Sequence, residues 1–353
     1  MLRLEYTSYV LDFKFQAKTS RGSMTHRKVW YVKIYDGEKK FGIGEAAPID
    51  RLSPEDLDEL PEELERLKEE IQKCVAPANE KEVWDLSRKL VSEAFPSIRF
   101  ALEMGLMDLL NGGEKRIFNH QFQDISIPIN GLVWMGDEDF MKSQIKEKLE
   151  EGFTCIKLKV GAIDFETELS MIKELRAISK ELIIRLDANG AFPVNEVLIK
   201  LKKLAAFDIH SIEQPILPMQ PEALEIVCKK SEIPVALDEE LVWVRNERDR
   251  LQLLQEIRPH YLVLKPTLHG GFGAVKNWID LAGIQGIGWW ITSYLESNIG
   301  LNAIAQFASN YPLENHQGLG TGSLYTNNIV SPIQIEGGYF KYAKSAIWGD
   351  VGL

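Results

Sequence analysis

The sequence predicts an α/β protein in two parts, an α+β unit followed by a closed barrel of alternating strands and helices, and three observations carry that reading. The first 122 residues hold two long stretches of period-two alternation and then helical patterning. Beyond them, short apolar runs alternate with amphipathic segments, the signature of a mostly parallel sheet. Those runs end near Asn130, Lys159, Asp187, Glu213, Asp238, Lys265, Thr292 and Gly318, and from Lys159 onward the ends recur every 25–28 residues. One βα unit per step explains the spacing. Eight such units without a GxGxxG turn favour a closed barrel over an open doubly wound sheet. The chain, at 353 residues, has room for both parts, since such a barrel takes about 200 to 250 residues by itself.

In the first part, residues 2–15 and 29–35 alternate as antiparallel strands do, with residues 19–23 as the loop between them. After Gly42-Ile43-Gly44-Glu45, a charged run over 53–73 carries Leu57, Leu60, Leu64, Leu67 and Ile71 at helical spacing. Ser53-Pro54-Glu55-Asp56 has the chemistry of a helix start, with proline in the first turn and acids at the positive end of the dipole. Further helices are expected over 81–94 and 97–110. From about Ser323 strand-forming and turn-forming residues return. The expected division is therefore 1–122, with 323–353 packing back on it, and a barrel over 123–322.

Composition limits the partners. Lysine and arginine number 41 against 52 acids, a net charge of −11, which disfavours a general grip on nucleic acid phosphates and leaves a small molecule as the expected partner. Cys74, Cys155 and Cys228 are far apart and lack a CxxC spacing, so they read as reduced thiols. The amino terminus alternates where a signal peptide or membrane helix would be continuously apolar. A cytoplasmic protein is expected, without a membrane partner, and an oligomer is compatible with the sequence.

The strand ends carry the chemistry. In a parallel barrel the carboxyl ends of the strands converge on one mouth. Here Lys157 and Lys159, two apart and so on one side of their strand, are followed at successive ends by Asp187, Glu213 and Asp238, then Lys265. Taken singly, a strand-terminal Asp is a turn former and a lysine a solvated charge. Five in consecutive units point elsewhere. Three crowded carboxylates raise one another's pKa unless a cation neutralises them, and oxygen ligands fit Mg²⁺, with Mn²⁺ as a substitute, better than zinc. Such an ion can hold a substrate carboxylate while an α-proton leaves to a lysine whose charged form the metal and a second ammonium disfavour. Lys157 suits that electrostatic part. Lys265 enters from the opposite side, as a second acid/base or as a cation facing the intermediate.

KxK at Lys157, DANGA at Asp187, IEQP from Ile212, DEE at Asp238 and LVLKP ending past Lys265 resemble the enolase superfamily, in its muconate-lactonizing subgroup. The resemblance spans nearly the whole chain and implies a (β/α)₇β modified TIM barrel with an α+β capping domain. It implies Asp187, Glu213 and Asp238 as metal ligands, Lys159 as base and Lys265 facing it; a lysine base beside Mg²⁺ is a general pattern of that superfamily. No histidine stands at Trp289-Trp290-Ile291-Thr292-Ser293, which disfavours the mandelate-racemase-like branch. TSRG at Thr19, GEAAP at Gly44, SIRFALEMGLMDLL at Ser97, PINGLVWMG at Pro128 and SYLESNIGL at Ser293 resemble a dehydratase of the subgroup. That implies a syn elimination: Lys159 takes the α-proton of a cyclohexadiene carboxylate, Mg²⁺ holds the enediolate, and loss of the hydroxyl as water makes the ring aromatic. Lys265 is then a stabilising cation. Substrate contacts are expected from Lys157, Asn189, Ser20, Arg21, Ser293, Glu296, Ser297 and Asn298.

Rival readings leave distinct marks. A racemase of N-succinylamino acids or a dipeptide epimerase would use the same lysine pair, but the Asp-x-Asp of the epimerases is replaced here by Gly318-Leu319-Gly320. A catalytically dead scaffold would have lost at least one of the five charged residues, and none is missing. Gly270-Gly271-Phe272-Gly273 reads as a tight βα turn rather than a phosphate cradle. His210, His260 and His269 lack metal-ligand spacing and read as structural, and Trp289 and Trp290 as packing.

Overall fold

The computed structural model describes residues 1–19, 22–118, 126–343 and 347–352. Three antiparallel strands open it: β1 (Leu2–Thr19), β2 (Gly22–Asp36) and β3 (Lys40–Ala46), in the order β1-β2-β3. Helices α1 (Leu60–Ile71), α2 (Glu80–Leu90) and α3 (Pro96–Leu110) follow. Helix α3 is apolar on nearly every side and buried except at Arg99 and Leu110, and it lies directly on β3. A Cβ at Gly42 would sit 2.1 Å from the Gly105 carbonyl oxygen, and one at Gly44 1.9 Å from that of Ala101, so only glycine permits this approach.

One expectation fails here for a local reason. The helix foreseen from Ser53 begins at Leu60, because Pro61 lacks the N–H of an interior helical residue and is tolerated only in a first turn.

Strands β4 (Ile127–Pro128) and β5 (Gly131–Val133) lead into α4 (Glu138–Glu150), and βα alternation continues from there. The units are β6 (Cys155–Lys159) with α5 (Phe165–Ile178), β7 (Ile183–Asp187) with α6 (Val197–Ala205), β8 (Ser211–Glu213) with α7 (Pro221–Lys230), and β9 (Val235–Leu237) with α8 (Glu247–Ile257). Then come β10 (Tyr261–Leu264) with α9 (Pro266–His269) and α10 (Phe272–Gln285), and β11 (Gly288–Ile291) with α11 (Asn298–Ala308). Strands β5 to β11 pair in parallel in chain order. Parallel bridges from Gln317 to Ile129 and from Gly318 to Thr292 close the ring. The first barrel strand, expected to end near Asn130, instead begins just past it and spans Gly131–Val133.

The chain ends in an antiparallel hairpin, β12 (Ile333–Glu336) and β13 (Tyr339–Tyr342), which pairs with β4. Just before it, Tyr325 bridges Phe13 of β1, their rings 4.7 Å apart. Phe100 of α3 meets Phe272 of α10 at 5.1 Å, and Phe272 meets Phe307 of α11 at 5.1 Å. This aromatic stack fuses the amino-terminal unit to the barrel, and burial of such rings is a main stabilising contribution. The three cysteines are free thiols. Among the described residues no helix is long and apolar enough to cross a membrane.

Candidate active site

Register sets the site. Lys159 pairs across from Asp187, and Asp187 from Glu213, so alternate residues of β6, β7 and β8 point into the barrel at one level. The strands are short, at five, five and three residues. Lys157 and Lys159 of β6, Asp187 of β7 and Glu213 of β8 all line the mouth, where their charges find partners.

There the acids meet ammonium groups. Lys157 Nζ lies 2.9 Å from Asp187 Oδ2 and 2.6 Å from Glu213 Oε2. Lys159 Nζ donates to Asp187 Oδ2 at 2.8 Å and to Asn189 Oδ1 at 2.7 Å. Lys265 Nζ reaches both oxygens of Asp238 at 2.5 Å. Sequence reasoning missed Glu239, whose Oε1 accepts from Asn189 Nδ2 at 2.8 Å; its signal was the second acid of DEE, which a 3₁₀ turn over Glu239–Trp243 brings back to the mouth. Asn189 and Gln214, next to the strand-terminal acids, sit in the left-handed region at φ 43° and 38°, strain of the kind that gathers at functional sites.

Burial and mutual charge shift these groups. Burial works to raise the Asp187 carboxyl, but the Lys157 and Lys159 ammoniums outweigh it and hold the group ionised. Glu213 goes the other way: burial, then the Asp187 charge, push it up to about 8. Burial also raises Asp238 and Glu239. For Lys157 and Lys265 burial is again the largest influence and favours neutrality, yet the surrounding carboxylates keep both above the ordinary lysine range.

With the lysines folded onto them, the acids form no ready-made ligand set. Among the described residues no three His, Cys, Asp or Glu side chains stand as a group able to hold a metal ion. The donor chemistry nevertheless fits a hard divalent cation: Glu213 Oε1 and Glu239 Oε2 are buried without a hydrogen-bond partner, a costly state that a cation would relieve. Turning Lys157 and Lys265 aside would free Asp187, Glu213 and Asp238 oxygens at neighbouring strand ends.

The cluster opens into a cavity of about 920 Å³, lined by Lys157, Lys159, Asp187, Asn189, Glu213, Asp238 and Lys265. Ile49 and Leu52 from the first unit and Leu268 and Tyr294 from the barrel form an apolar side. Ser293 and Asn298 line the cavity, and Asn298 Oδ1 has no partner. Glu296 and Ser297 do not line it: Glu296 accepts from Thr267 and Ser293 hydroxyls and the Tyr294 amide, and Ser297 bonds Glu45. Ser20 and Arg21 lie outside the described residues. Gly270 and Gly271, at φ 90° and 97°, form a tight turn, and the amino end of α10 is occupied by the Glu103 carboxylate, 3.2 Å from the Gly273 amide. His210 stacks on Tyr261, while Nδ1 of His260 accepts from the Val235 amide.

Comparison with known proteins places this geometry. The family model described as enolase C-terminal domain-like matches residues 141–345. The chain is 42% identical to an o-succinylbenzoate synthase of Desulfotalea psychrophila, over 96% of this chain and 98% of that one. A crystal structure of MenC from the same organism superposes with a TM-score of 0.87 at 37% identity, covering 96% of this chain and 99% of the other. A substrate-liganded L-Ala-D/L-Glu epimerase of Bacillus subtilis shares the fold, with a TM-score of 0.81 at 20% identity, over 98% and 97% of the two chains.

Proposed function

The chain belongs to the enolase C-terminal domain-like family, and from that premise we propose that it is an o-succinylbenzoate synthase. Its reaction is the syn dehydration of 2-succinyl-6-hydroxy-2,4-cyclohexadiene-1-carboxylate to o-succinylbenzoate in menaquinone biosynthesis. The observation that carries the reading is that ammonium groups from the ends of β6 and β10, opposite strands of the ring, enter one cavity on either side of three buried acids.

Asp187, Glu213 and Asp238 are the residues that would hold Mg²⁺ or Mn²⁺. When bound, the ion supplies positive charge to grip the substrate carboxylate and to offset the second negative charge that grows as the α-proton leaves. Neutralising the acids removes the carboxylates that now hold Lys157 and Lys265 in their charged form. Lys159 takes the α-proton; the ring C–O bond breaks, and the same ammonium returns a proton to the departing hydroxyl, which leaves as water. Lys265 faces the planar ring as a cation. Lys157 and Asn189 orient the carboxylate and the base, Ser293 and Asn298 the succinyl tail with Ser20 and Arg21, and Glu296 and Ser297 act through the loop they brace.

The same reading divides the chain into a cap, 1–122 with 323–353, and a barrel, 123–322, supported by the Tyr325–Phe13 bridge; the 122/123 boundary lies outside the described residues. The test is to incubate the purified protein with Mg²⁺ and the hydroxycyclohexadiene acid and follow the ultraviolet change of aromatisation. Turnover that also needs Mg²⁺ supports the proposal. Racemisation of an N-succinylamino acid with α-deuteration in D₂O, without dehydration, would overturn it.

A further inference from the structure

Two cap residues outside the acid–lysine cluster hold the barrel loop that makes one wall of the cavity. Arg27 of β2 is buried. Its Nη1 donates to the carbonyls of Tyr294 and Leu295 at 2.6 and 2.7 Å, and its Nη2 to those of Ala47 and Pro48. Glu45 of β3 is fully buried and accepts from the Ser297 amide at 2.8 Å, the Ser297 hydroxyl at 2.6 Å and the Gly300 amide at 2.7 Å. Between these two holds, Leu295 stands at φ 62°, a left-handed conformation that a leucine keeps only when its surroundings impose it. The same segment carries the Tyr294 ring, packed with Ile49, Val242 and Leu268 and centred 5.8 Å from Lys265 Nζ.

We propose that Arg27 and Glu45 are positioning residues: by clamping the backbone from Tyr294 to Gly300 they keep the Tyr294 ring against the substrate side of Lys265. A planar fork with five N–H donors can span carbonyls of the cap turn and of the barrel loop at once, which a lysine cannot. Released, Leu295 would relax, and the wall would have to be ordered each time substrate binds, a cost that falls on affinity. What lies against Tyr294 rests on the dehydratase reading; the clamp does not.

The experiment compares wild type, Arg27→Met and Arg27→Lys in two readouts: steady-state dehydration of the hydroxycyclohexadiene acid with Mg²⁺, and amide hydrogen exchange of the 293–300 peptide without substrate. Arg27→Met is expected to raise KM about tenfold, equivalent to ~1.4 kcal/mol, with kcat within roughly threefold, and to speed exchange in that peptide. Arg27→Lys should recover part of both effects. A folded Arg27→Met with unchanged KM and unchanged exchange, even with a lowered Tm, overturns the proposal. Should Arg27→Met not fold, the same two readouts on Arg27→Lys decide: a raised KM with faster exchange upholds the clamp, wild-type behaviour overturns it. If wild type fails to dehydrate the acid, the dehydratase reading falls, and the exchange readout alone judges the clamp.

Discussion

At the barrel mouth Asp187, Glu213 and Asp238 are held by lysine ammoniums, whereas in the cap and along its seam with the barrel four buried acids are bonded by backbone amides. Glu45 bonds the start of α11, Glu103 the start of α10, Glu55 the Ser97 amide at the start of α3, and Asp108 the amides of Ile43 and Arg116. Both sets are buried carboxylates, but their partners differ in freedom. An amide is fixed in the main chain, so an acid on it can change partner only if the helix end unfolds. An ammonium sits on four rotatable bonds and can give up its acid to another cation. The mouth is thus built for exchange of partners and the seam for permanence.

The largest expected effect falls at the mouth. Lys159→Ala should lose at least roughly 10² to 10⁴ in kcat, the span of a general acid/base, while circular dichroism and Tm stay near wild type. A comparable loss of folding would mean that the mouth ammoniums are as structural as the seam amides.

The seam is broken differently. At Gly271 the backbone is left-handed, and a Cβ would lie 2.3 Å from Glu103 Oε2, so Gly271→Ala strains the turn and displaces the acid. It should cost about 1–3 kcal/mol in denaturant unfolding with kcat/KM changed less than about threefold.

The smallest effect is in pH. Burial pushes Glu103 up from 4.5 to about 7 despite its hydrogen bond from Ser87 and the amides of α10. A raised folded pKa means the folded chain keeps a proton that the unfolded chain loses. The contribution to stability is therefore complete below about pH 4.5 and lost as pH rises through about 7. Unfolding free energy should decline across that window, and Glu103→Gln should make the decline shallower by at most ~1.4 kcal/mol per pH unit. An unaltered slope would remove Glu103 from the account.

The mouth was legible in the sequence because a charge ending an apolar run has few explanations, and βα spacing turns five of them into one ring. Lys157, Lys159, Asp187, Glu213, Asp238 and Lys265 all line the one cavity for that reason. The seam was not legible. Glu45 finds its partners at Ser297 and Gly300, and Arg27 at Tyr294 and Leu295, separations at which no local pattern survives. Glu296 and Ser297 read as contacts because they flank the mouth loop, yet their hydrogen-bond partners draw them inside it. Pro61 carried its own warning against a helix from Ser53, and Glu239 was hidden by its more orderly neighbour Asp238.

The exchange of partners is tested most directly by titrating the chain with Mn²⁺, which stands in for Mg²⁺, and reading bound ion by electron paramagnetic resonance. One ion should bind per chain, binding should be lost in Glu213→Gln, and it should persist in Glu103→Gln. No binding by wild type, or undiminished binding by Glu213→Gln, would contradict the claim that the mouth acids trade their lysines for a metal.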